Sequence, residues 1–79
     1  MPKRDQLRDA YNVFLRKHKP GVCCAVREDT PVPAFLSPEN WSYSYTARSR
    51  ADLPVGFQPC AAHEAANRLG FYLFQDIGA

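Results

Sequence analysis

The chain has only four glycines, Gly21, Gly56, Gly70 and Gly78, and no two are close enough to form a phosphate-cradling loop. Its three cysteines, Cys23, Cys24 and Cys60, are an odd number without framework spacing. Neighbouring Cα atoms lie ~3.8 Å apart, which is too close for the usual disulfide, so free thiols in a reducing compartment are expected. No Cys-x-x-Cys pair exists. Cys60-x-x-His63 supplies two zinc ligands and the Cys23–Cys24 pair one more, short of the four that a structural site needs. No spaced pair of carboxylates suggests hydrolysis. No stretch approaches the length of a membrane span, and Met1-Pro2-Lys3-Arg4-Asp5 lacks the apolar run of a signal peptide. The expectation is a soluble cytoplasmic protein with no metal, cofactor, membrane or small-molecule substrate.

Aromatic residues and prolines are plentiful instead. Four tyrosines, five phenylalanines and one tryptophan give a short chain large side chains to bury. Seven prolines favour fixed turns over long regular elements. With 79 residues the chain is expected to form one compact domain, near the lower limit for a self-sufficient core. Charge is uneven: Lys3, Arg4, Arg8, Arg16, Lys17 and Lys19 outweigh Asp5 and Asp9 at the amino-terminal end, while the rest is mildly acidic. Such a segment is either a solvated face or a surface for an acidic partner.

Leu7, Ala10, Tyr11, Phe14, Leu15 and His18 recur at helical spacing, which predicts a helix over about residues 3–18, stopped by Lys19-Pro20-Gly21. "VCCAVR" at 22–27 reads as a strand buried on both faces. "VPAFL" at 32–36 reads as a returning arm that Pro33 pushes to an edge. A further strand begins at Trp41, and 49–58 is a connecting loop in which Leu53, Val55 and Phe57 pin the chain to the core. "PCAAHEAANRLG" at 59–70 is a second helix, with Pro59 at its first position, Gly70 as terminator and a face of small alanines. "FYLFQDI" at 71–77 reads as a last strand. The expected fold is α+β in the order α-β-β-β-α-β, with two helices on one face of an antiparallel sheet of three to four strands.

Two constellations bear on function. In "NWSYSYT", Trp41, Tyr43 and Tyr45 alternate with Ser42, Ser44 and Thr46. They are either a core face, with Ser42, Ser44, Thr46 and Arg48 meeting water, or a stacking platform for unpaired bases. Cys60 with His63 and Glu64 places a thiol in a helix's first turn beside a base, but a chain this short leaves little room for a cleft. The weight falls on a protein that is not an enzyme and works by binding. Tyr, Trp and Arg carry binding hot spots, so Arg4, Arg8, Arg16, Lys17, Tyr43, Tyr45, Arg48, Arg50 and Tyr72 are the expected partner-binding residues.

The expected element order is similar to that of the double-stranded-RNA-binding domain. That family presents lysines at the start of its second helix, where this chain has Pro59-Cys60-Ala61-Ala62-His63-Glu64 and no lysine, so its RNA clamp does not carry over. As a compact stand-alone chain of this length, the protein resembles the small orphan proteins of phages and mobile elements, among which anti-CRISPR inhibitors are the best-known group. That resemblance implies inhibition by masking a nucleic-acid or subunit-docking surface of a larger protein or ribonucleoprotein complex. Many such inhibitors are acidic mimics of nucleic acid, and this chain is not. Two alternatives remain: a nucleic-acid-binding regulator using the basic first helix, and a small structural or assembly protein.

Overall fold

The computed structural model describes residues 6–77. Strand β1 (Gln6–Arg16) pairs antiparallel with both β2 (Val22–Arg27) and β3 (Trp41–Ser49), and β2 pairs antiparallel with β4 (Tyr72–Gln75). The order across the sheet is β3-β1-β2-β4. One α-helix, α1 (Pro59–Leu69), and a 3-10 turn at Arg50–Asp52 complete the elements among the described residues. The fold is α+β, with one antiparallel sheet.

From Gln6 to Arg16 the expected first helix is a strand, and its first residues, 3–5, lie outside the described residues. Tyr11 and Phe14, three positions apart, would share a helix face; on β1 they lie on opposite faces of the sheet and pack into different cores. A central strand carries apolar side chains both ways, which blurs the alternation of a one-sided strand and imitates helical spacing. Val13 lay off the helical stripe, yet it is wholly buried. His18, expected inside that stripe, is exposed in the β1–β2 turn with φ 65°. The order α-β-β-β-α-β is therefore replaced by four strands with α1 between β3 and β4. The likeness of element order to the RNA-binding domain goes with it.

The expected arm at 32–36 is also absent. Pro31 and Pro33 cannot donate to a ladder. The segment 31–40 instead forms turns, with the Leu36 amide bonded to the Pro33 carbonyl and the Trp41 amide to the Ser37 carbonyl. It lays Phe35 and Leu36 over the second sheet face, where Phe35 meets the edges of Trp41 and Phe71.

The remaining elements lie close to where the sequence places them, except that the last strand is only Tyr72–Gln75 of the expected 71–77 and a 3-10 turn interrupts the expected loop over 49–58. β2 is buried on both faces: Cys23 and Ala25 join the first core, Cys24 and Val26 the second. Pro59 opens α1, and Gly70, at φ 85°, closes it by donating to the Ala66 carbonyl. Ala62 and Ala66 have no bulk to hold the helix away from the sheet, and both are buried against it. Phe57 anchors the preceding loop, meeting Tyr11, Tyr72 and Phe74 edge-on. Leu53 packs beside this core, whereas Val55 is exposed.

Candidate functional site

The alternating aromatics of β3 do not share a face. Val13 pairs with Tyr45 while Phe14 pairs with Tyr43, so Ser44 is an extra residue on β3, a β-bulge. On one side of it Tyr45 and Ala47 turn to the first core, beneath α1. On the other, Trp41 is buried in the second core and Tyr43 stands 57% exposed on the same face. The row is thus part core and part surface. A single bulge divides it.

Around Tyr43 lies the half of the second face that segment 31–40 leaves open. The Tyr43 ring meets the edge of Phe14 at 5.8 Å between centroids. Its hydroxyl shares a 2.6 Å hydrogen bond with Thr46 Oγ1, which donates to Asn12 Oδ1 at 2.7 Å. Arg48 makes a bidentate pair with Glu28, both bonds 2.8 Å long. The pair is exposed, so its value lies in orientation more than stability. The Glu28 carboxylate raises the Arg48 pKa further above its ordinary value, first through these hydrogen bonds and then through its charge. At the other end of the face the Arg16 guanidinium carbon sits 5.4 Å from the centroid of the Trp41 ring. Arg16 Nε is buried without a hydrogen-bond partner among the described residues. Lys17 Nζ donates to the Pro38 carbonyl at 2.6 Å. Beyond Arg48, Asp52 accepts from the Arg48 and Ser49 amides, closing one end of the β3 edge, and these bonds lower its carboxyl pKa.

Of the residues expected to bind a partner, the structure brings Arg16, Lys17, Tyr43 and Arg48 to this face or its rim. Tyr45 and Tyr72 lie on the other side. Tyr45 packs against the first core; Tyr72 stacks on Phe74 and accepts a hydrogen bond from the Gln58 amide at 3.2 Å. Arg50 is also on that side, at a cleft beside α1. Arg4 lies outside the described residues, as does the side chain of Arg8, whose backbone belongs to β1. The sequence reading missed Asn12, Phe14, Thr46 and Glu28 as members of the site. Asn12 fell between stripe positions of the supposed helix, and nothing local links it to Thr46 across the sheet.

The Cys60–His63–Glu64 grouping is arranged differently from a thiol with its base. His63 Nδ1 faces Asp9 Oδ2 at 3.2 Å and His63 Nε2 faces Asn67 Nδ2 at 3.2 Å, so both ring nitrogens are engaged away from Cys60. Glu64 pairs with Arg68 at 3.0 Å. Cys23 and Cys24 turn to opposite faces, and among the described residues no three His, Cys, Asp or Glu side chains come together as metal ligands. No helix among them is long and apolar enough to cross a membrane. Comparison of the chain with protein-family models, with curated proteins and with solved structures finds no match.

Proposed function

We propose that this is a non-enzymatic interaction protein that binds and blocks a surface of a larger protein or ribonucleoprotein complex through the open half of its second sheet face. The observation that carries the reading is Tyr43: a large aromatic ring, 57% exposed, standing on a sheet with both its ring and its hydroxyl already held. A side chain fixed in this way loses little rotamer freedom on binding, and tyrosine flanked by arginines is a common composition for an interface centre. Arg16 and Lys17 give one end of the surroundings a positive charge that suits an acidic patch on the partner, while Arg48, neutralised by Glu28, offers an oriented guanidinium. The resemblance to phage inhibitors, together with this charge, makes an effector complex of the anti-CRISPR kind the first partner to try.

The nucleic-acid alternative drew on a basic helix. With a strand in its place, Arg8 and Arg16 are eight residues apart along β1, roughly 26 Å at ~3.3 Å per residue, and no longer line one helical stripe. Nothing in the geometry favours it over protein docking.

The test is a photo-reactive phenylalanine analogue placed at Tyr43, with a control at Leu69, which is exposed on α1. In nuclease-treated host lysate the Tyr43 position should cross-link one defined protein, and Arg48→Glu should abolish the adduct. Equal labelling from both positions would contradict the proposal. Labelling that disappears with nuclease would shift it to nucleic acid, and adducts only between copies of the chain would shift it to an assembly role.

A further inference from the structure

The first sheet face carries a second feature, independent of the docking face. Between the start of β1, Arg50 and the first turn of α1 lies a cleft of about 260 Å³. Leu7 and Pro59 are apolar walls, and Tyr11, only 3% exposed, forms the floor. Tyr11 is well packed through its ring, whose edge meets Phe57. Among the described residues its hydroxyl makes no hydrogen bond, and it is not one of the side-chain atoms sealed from solvent there, so it is open to the cleft that Tyr11 lines. Burial, and secondarily the charge of Asp9, raise its pKa, so it is a proton donor at neutral pH. Arg50 at the rim has no carboxylate partner among the described residues. The first turn of α1 contains no acidic residue, and its N-cap, Gln58, makes no side-chain cap.

We infer that this cleft binds a small organic monocarboxylate with a compact apolar body. The carboxylate accepts from the Tyr11 hydroxyl and the Arg50 guanidinium, and the body lies against Leu7 and Pro59. The Cys60 and Ala61 amides at the uncapped start of α1 add to the same positive end. Asp9 decides between kinds of anion. Its carboxylate is turned to His63, which is itself held by Asn67, so its repulsion is blunted but not removed. Repulsion grows with ligand charge, so a single carboxylate fits better than a doubly charged phosphate.

The probe is benzoate, titrated into the isotope-labelled full chain while backbone amide resonances are followed. The Cys60, Ala61 and Arg50 amides should shift and saturate at roughly millimolar concentrations, as suits a ligand of so few atoms. Benzamide, the same shape without charge, and phenyl phosphate should each bind at least several-fold more weakly. Arg50→Gln and Tyr11→Phe should each weaken benzoate by about tenfold. Tyr11→Phe keeps the buried ring, and unchanged β2 amide resonances would show that each variant is folded. Shifts that stay linear with benzoate, equal binding of benzamide, or full affinity in Arg50→Gln would overturn the inference.

Discussion

Cys23 and Cys24 are successive residues of one strand, so their thiols enter different cores. Cys24 is completely buried, and burial raises its pKa from the ordinary value of 9.0 to about 12. Between those values the unfolded chain has released a proton that the folded chain still holds. The contribution of this thiol to stability is therefore fully present below pH 9.0 and is lost as pH rises toward about 12. The steepest loss is about 1.4 kcal/mol per pH unit for one such group. Cys23, Tyr11 and Tyr45 are shifted the same way, with burial the largest cause in each, and add to the slope. Urea unfolding across the alkaline range should show stability falling steadily. Cys24→Ala should be about 1 kcal/mol less stable near neutrality yet lose less stability as pH rises. Parallel curves for the two proteins would show that Cys24 ionises in the fold as it does in the open chain.

At the scale of elements, what the sequence made legible depended on how many faces each element buries. α1 has one buried face of alanines between a proline and a glycine, and its limits could be read directly. β2 could be read as doubly buried because small and β-branched residues fill it throughout. β1 was misread because it serves two cores at once, and the pairing that makes it central comes from β2 and β3, remote in sequence. The bulge at Ser44 has no local signature; Ser42 and Ser44 look alike until β1 lies beside them. For the same reason Tyr43 could not be told from Trp41 or Tyr45, although all three were singled out. The loop ahead of α1 gives a prediction of this scale. Gly56 has φ 103° and approaches β4 so closely that a Cβ would strike the Gln75 carbonyl oxygen. It sits beside the backbone bond from the Ile77 amide to the Val55 carbonyl, 3.1 Å long. Gly56→Ala should cost more than about 2 kcal/mol by thermal unfolding, and a loss within ~0.5 kcal/mol would mean that the loop is not seated against β4.

For the whole molecule, the two faces of one sheet are covered differently. The first holds α1, the main core and the cleft beside Arg50. The second is half sealed by segment 31–40 and half open around Tyr43. A small domain has little stability to spare, so leaving a large aromatic ring uncovered while fixing it with a Thr46–Asn12 chain is best accounted for by what it meets outside. Arg16, Lys17 and Lys19 follow one another closely in the sequence, so on the proposed reading association with an acidic partner should slow as salt rises. The most direct measurement is the affinity of the cross-linked partner, once purified, for the wild-type chain and for Tyr43→Ala and Tyr43→Phe. Removing the ring should weaken binding by about 2 kcal/mol or more, roughly thirtyfold. Removing only the hydroxyl should produce a smaller loss, because the ring remains but is held less firmly. Wild-type affinity in Tyr43→Ala would contradict the account and place the docking surface elsewhere on the molecule.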